Sequence, residues 1–192
     1  MSNHSVFQRI GVLLGIWGIW CCSPSRQAPS LGTIHPIPLV TAEGRSLPDS
    51  YFHRVTVVEF FFTSCQGACP IMANRLEEVD RHLVPEDPVQ FLCVTVDPDR
   101  DTLTTLREYR DRHHYTSPRW TLARGERDSV RTWIERDFHL GVGTLPAEHP
   151  TRLILLDPDR NIRGYFDGLD ADSVEPLVQA IRQLLQENGH AA

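Results

Sequence analysis

The chain has 192 residues, 41% of them hydrophobic, and a formal net charge of −6 at pH 7. That length and composition fit one globular domain with a sizeable core once an N-terminal leader is set aside. The negative balance, with no basic cluster to offset it, excludes nucleic acid as a partner.

Residues 1–22 read as a signal or membrane-anchor segment. Arg9 supplies the positive charge, and Ile10–Cys22 is an uncharged apolar stretch of 13 residues. That is signal-peptide length and short for a membrane span. Cys21-Cys22 at its end suggests a lipid-modified cysteine, although Gly18-Ile19-Trp20 is a poor lipobox, so a cleaved signal, a lipoprotein and a short anchor all fit. Residues 23–36 hold Pro24, Pro29 and Pro36 and read as a linker. The domain is expected over 37–190. Export would place it away from cytosolic reductants, where a cysteine pair can cycle between dithiol and disulfide.

The domain begins with a small expected hairpin, Ile37–Thr41 and Ser46–Leu47, turning at Gly44. Residues 54–62, rich in β-branched and aromatic side chains, predict a strand buried on both faces. Helix 70–83 follows, with Ile71, Met72, Leu76, Val79 and Leu83 at helical spacing. Strand 89–96 ends at Asp97-Pro98-Asp99-Arg100-Asp101-Thr102, where Asp101 or Thr102 can cap a helix carrying Leu103, Leu106 and Tyr109. Next come a short strand, Arg119–Ala123, and an amphipathic helix, Asp128–His139. Strands Thr151–Leu156 and Ile162–Asp167 are joined by the turn signal Asp157-Pro158-Asp159-Arg160-Asn161. Helix 171–187 closes the chain. Strand–helix alternation followed by a hairpin and a last helix predicts an α/β fold, with a mixed central sheet and helices on both faces.

The chemistry concentrates in Phe60-Phe61-Phe62-Thr63-Ser64-Cys65-Gln66-Gly67-Ala68-Cys69-Pro70. Two thiols stand where a strand hands over to a helix, and a helix N-terminus favours thiolate. Thiols four residues apart can form a disulfide or share one soft metal ion. With thiols at the end of the first main strand, the fold expected is thioredoxin-like. Cys93, inside the strand 89–96, reads as a small core residue. His113, His114 and His139 are expected on helices, solvated and away from the thiols. Glu59 is unusual, because a carboxylate in a buried strand is costly unless paired or protonated. It either faces outward on a half-buried strand or serves the thiols by accepting and relaying a proton.

Three motifs in order, Phe-Phe-Phe-Thr-Ser-Cys-x-x-x-Cys-Pro-x-Met, Asp-Pro-x-Arg-Asp-Thr at 97–102, and Glu148-His149 before a strand, resemble the SCO/SenC family. The resemblance runs from about residue 37 to the last helix. It implies a membrane-tethered thioredoxin-fold protein outside the cytoplasm, on the periplasmic side of the cytoplasmic membrane. It also implies copper bound by Cys65, Cys69 and His149, and a role in assembling the copper centre of cytochrome c oxidase. The partner implied is the oxidase's copper-binding subunit or another copper chaperone. Asp97 and Asp101 fall on the family's acidic motif near the site, and Glu59 falls where many members carry Asp. Pro150 stands where thioredoxin-like proteins keep a cis proline beside the thiols.

Soft thiolates favour Cu(I), and an added imidazole makes a set that also suits Cu(II). Zinc would want a fourth ligand, and none presents itself. The alternative function is a thiol–disulfide oxidoreductase acting on cysteines of the oxidase or other exported proteins, with Cys65 attacking and Cys69 resolving. A thiol peroxidase is the weakest of the three readings, because Phe62 and Val58 stand where that pattern has Thr and Pro. The protein is expected to be a monomer.

Overall fold

The computed structural model describes residues 29–113, 115 and 117–189. Strand β1 is Val40–Thr41, β2 Val55–Phe61, β3 Val89–Thr95, β4 Trp120–Arg124, β5 Arg152–Leu156 and β6 Ile162–Asp167. Helix α1 is Ala68–Arg81, α2 Leu103–Arg112, α3 Arg127–Arg136 and α4 Val174–Glu187. The strands form one six-stranded sheet in the order β1-β4-β3-β2-β5-β6. β4, β3 and β2 run parallel, while β1, β5 and β6 pair antiparallel to their neighbours. This is the mixed sheet of a thioredoxin-like fold.

The core divides by strand alternation. Val55, Val57 and Phe61 of β2, with Phe91 and Cys93 of β3, face one side, where α1, α2 and α4 contribute Leu76, Leu106 and Ile181. Val58 and Phe60, with Leu92 and Val94, face the other, where α3 contributes Val130, Trp133 and Ile134. Every residue of β2 is buried, because β2 lies between β3 and β5 with helices on both faces. Phe60, Trp133 and Phe138 meet edge to face, with ring centroids 4.8–6.1 Å apart. That cluster clamps the end of α3 onto the sheet.

The hairpin contracts to a turn. Thr41 N–H donates to the Arg45 carbonyl at 2.8 Å, and Gly44 takes the left-handed conformation (φ 79°) that glycine adopts freely. The strand is then used against β4, so it edges the main sheet instead of standing apart. The stretch read as linker is docked in its second half. Leu31 N–H and Ile34 N–H donate to the Ile162 and Arg160 carbonyls, and Ile34 is buried. The apolar side chain of Ile34 and the open edge of β6 outweigh the proline-rich composition. Residues 1–28, which include the expected anchor, Cys21 and Cys22, lie outside the described residues.

Candidate metal centre

β2 ends at Phe61, and the chain turns through Thr63 and Ser64 before α1. Cys65 N–H closes that turn on the Phe62 carbonyl at 3.2 Å. The α1 N-cap is Gly67, which has no side chain to accept the helix's first N–H groups. The Cys65 sulfur stands in for one. Cys69 N–H points at Cys65 Sγ across 3.4 Å. Burial pushes the Cys65 thiol up, but hydrogen bonds from the Cys69 thiol and from the N–H groups of Cys69, Gly67 and Ala68 outweigh it. The net position is below the ordinary thiol value. Cys69 goes the other way. Burial raises it first, and its contact with Cys65 raises it further, well above the usual thiol range. One thiol is therefore partly exposed and shifted towards ionisation, and its neighbour is buried and shifted away from it.

His149 arrives from the opposite side, on the loop between α3 and β5. Its Nε2 lies 3.4 Å from Cys69 Sγ, and its Nδ1 lies 3.0 Å from the Pro150 carbonyl. A carbonyl only accepts, so Nδ1 carries the proton and Nε2 turns its lone pair towards the sulfur. The Phe62 ring meets the imidazole edge to face, with centroids 5.5 Å apart. Burial lowers the His149 pKa, against smaller opposing effects of the Pro150 and Phe60 backbone, which keeps the ring neutral and able to ligate.

The ligand atoms of Cys65, Cys69 and His149 all lie within 4.8 Å of one another. Among the described residues no other group of His, Cys, Asp or Glu meets that geometry. Metal–sulfur and metal–imidazole bonds of about 2.0–2.3 Å place ligand atoms roughly 3.5–4 Å apart, so a contraction of about 1 Å closes the set on one ion. Two soft sulfurs and one imidazole fit a soft or borderline ion such as copper.

A family model described as SCO1/SenC matches residues 27–186. The chain belongs to the SCO1/SenC family. The mitochondrial SCO2 homolog of Bos taurus is 29% identical over 157 residues, which cover 76% of this chain. The chain spans 57% of that relative's length. Among solved structures, a SCO1/SenC family lipoprotein from Bacillus anthracis superposes with a TM-score of 0.73 at 21% identity, covering 80% of this chain and 95% of that one. BsSco, described as a Sco-family cytochrome c oxidase assembly protein with a disulfide switch, gives 0.69 at 16% identity and covers 82% and 96%. Arabidopsis thaliana ScoI with copper bound gives 0.66 at 21% identity and covers 79% and 99%. At these identities the superpositions establish the fold.

The remaining residues singled out from the sequence fall in three places around this SCO1/SenC centre. Asp101 turns inward. Its carboxylate accepts from Thr63 N–H at 3.1 Å, from Thr63 Oγ1 at 2.5 Å and from Thr95 Oγ1. It thereby fixes the turn two residues before Cys65. Thr102 supplies the α2 cap that Asp101 could have supplied, accepting from Thr105 N–H. Asp97 is buried one step further out, held by Arg100 at 3.2 Å and Arg127 at 3.5 Å. Glu59 faces inward with 3% exposure, so the outward alternative does not hold. The β2–β3 register sets it beside Cys93, whose thiol lies 3.5 Å from its Oε2. Burial pushes the Glu59 carboxyl up to about 8.

Three expectations are corrected. The cis peptide among the described residues joins Leu145 and Pro146, not His149 and Pro150; contacts with Phe62 and the Pro150 carbonyl hold His149 instead. His139 lies beyond α3, exposed and with φ 51°, because the helix ends at Arg136. His113 caps α2 and lies against the Tyr109 and Tyr115 rings, which draw it from solvent. His114 lies outside the described residues. Sequence reasoning missed Arg127 as a partner of Asp97 and Phe62 as the wall behind His149. Phe62 was visible as the third of three phenylalanines, one more than strand β2 needs.

Proposed function

We propose that this chain is a copper-binding metallochaperone. It carries one copper ion on Cys65, Cys69 and His149 and passes it to the copper-binding subunit of cytochrome c oxidase, directly or through another copper chaperone. The carrying observation is His149. Disulfide exchange between Cys65 and Cys69 can proceed without an imidazole, whereas two thiolates alone leave a copper ion short of the third ligand that His149, 3.4 Å from Cys69 Sγ, supplies. The description of BsSco as an oxidase assembly protein and the copper in Arabidopsis ScoI support the reading.

The chain's own residues do three things for the ion. Cys65, partly exposed, meets an incoming complex first. Cys69 and neutral His149 complete the set from the buried side. Glu59, beneath the thiols, takes up or releases a proton as they change state. Export to the periplasmic side, with an N-terminal tether through residues 1–22, places the domain near its acceptor, and it acts as a monomer. No helix among the described residues is long and apolar enough to cross a membrane.

A second reading rests on the unequal thiols. Cys65 thiolate attacks a partner disulfide, expelling one partner thiolate and forming a mixed disulfide. Cys69 then gives its proton to His149 Nε2 and attacks Cys65 sulfur; the partner leaves with the two electrons, its two thiolates taking that proton and one from solvent. The test is titration of the reduced, metal-free protein with Cu(I) and Cu(II), repeated with His149→Ala. One tight equivalent that weakens in the variant supports the chaperone. Failure of the folded, reduced protein to bind overturns it and leaves the exchanger.

A further inference from the structure

His149 is the ligand that regular structure does not deliver, so what holds it is a separate question. The loop before it is closed on itself. Gly143 N–H donates to the Glu148 carbonyl at 3.3 Å, and Glu148 N–H donates to the Thr144 carbonyl at 3.0 Å. The Glu148 side chain reaches back as well, and its Oε2 accepts from Thr144 N–H at 2.6 Å. This last bond is short and charge-assisted, the strongest kind available to an exposed loop. One further bond ties the ring to the scaffold: Arg131 of α3 donates to the Val142 carbonyl at 3.2 Å. α3 is itself clamped by Trp133 and Phe138 against Phe60. Gly143 leaves the space the carboxylate occupies, because a Cβ there would fall on Glu148 Oε2 and push it aside.

We propose that Glu148 is a positioning residue for His149. Its carboxylate locks residues 143–148 into a ring, and the ring sets the imidazole over Cys69 and against Phe62. The proposal rests on the reading of His149 as a copper ligand for its metal readouts, but its structural claim stands without metal. Outer partners that orient a metal-bound histidine are worth about 10–100-fold in affinity. The loop is exposed, so the low end applies.

The experiment compares Glu148→Ala, Glu148→Gln and Gly143→Ala in the otherwise intact protein. In the metal-free protein, Glu148→Ala should speed amide exchange at Thr144 and weaken the Phe62–His149 ring contacts in NMR spectra. Glu148→Gln keeps an acceptor oxygen and should restore most of both. Gly143→Ala displaces the carboxylate and should reproduce the alanine defect from a different position. With copper, Glu148→Ala should raise the dissociation rate by roughly tenfold and alter the nitrogen signature in the Cu(II) spectrum, while in the metal-free protein Cys65 alkylation keeps its native rate. Unchanged His149 ring contacts in Glu148→Ala would overturn the proposal. So would a parallel loss of thiol reactivity and folding, which marks a merely structural role. If the native protein binds no copper, the chaperone reading falls, and the metal-free spectra still decide the role of Glu148.

Discussion

Cys65 and Cys69 are delivered by the junction of two regular elements, β2 and α1, whereas His149 comes from residues 139–151, which contain no helix or strand. The junction is stiffened from within. The Asp101 carboxylate, itself buried, gathers Thr63 and Thr95 beneath the turn. The histidine loop is stiffened from outside, by Glu148 and Arg131, both of which meet solvent. Buried polar contacts are costly to break, and exposed ones are cheap. The thiol half is therefore the part the fold cannot do without, and the histidine half is the part that can move without unfolding the domain. For the copper-carrying role proposed above, such a movable histidine would suit a site that both holds an ion and releases it.

That contrast can be broken at several points. The largest effect is expected at Glu59, which lies under the thiol half. Its folded pKa of about 8 stands above its ordinary value, so the folded state keeps a proton that the unfolded state has lost. The stability this confers is complete below about pH 4.5 and drains away as pH rises towards 8, by on the order of 3 kcal/mol between pH 5 and 8. Glu59→Gln should flatten that slope in urea denaturation, and an unchanged slope would remove Glu59 from the account. Next is Asp101→Asn, whose amide cannot serve all three donors of Thr63 and Thr95. A loss of about 2–3 kcal/mol is expected, read from the denaturant midpoint, and a loss under about 1 kcal/mol would sever Asp101 from the turn. Within the thiol half, a neutral alkylating agent at pH 7 should modify Cys65 at least about tenfold faster than Cys69, from exposure and ionisation together. Mass mapping of the modified peptides checks the order. The smallest effect belongs to the histidine half. Arg131→Ala should cost less than about 1 kcal/mol of global stability, and a larger loss would mean that the two halves are not separable.

What could be read from the sequence follows the same division. Strand β2, helix α1 and the thiols between them were legible because hydrophobic period and cysteine spacing are local signals. The oddity of Glu59 was legible too, though its partner was not, since Cys93 reaches it through strand register. His149 was visible only through its motif, because nothing in the residues around it predicts a distance to Cys69. The inward turn of Asp101 was hidden by a competition. Two residues could cap α2, and only once Thr102 takes the cap is Asp101 free to face Thr63. The docking of residues 31–34 was masked by the prolines around Ile34, whose burial depends on an edge strand more than a hundred residues later. The closure of residues 143–148 through Glu148 has no sequence pattern at all.

The lacing of residues 31–34 onto the β5–β6 turn bears on how the domain would carry load. That turn lies beside the start of β2, since Leu156 pairs with Thr56, while Cys65 and His149 lie beyond the other ends of β2 and β5. A tug on the chain from its amino-terminal side is met first by the bonds to Arg160 and Ile162, at the pole away from the thiols. The sheet lies between that point and the candidate metal centre. A pull met at that pole would leave the arrangement of Cys65, Cys69 and His149 undisturbed.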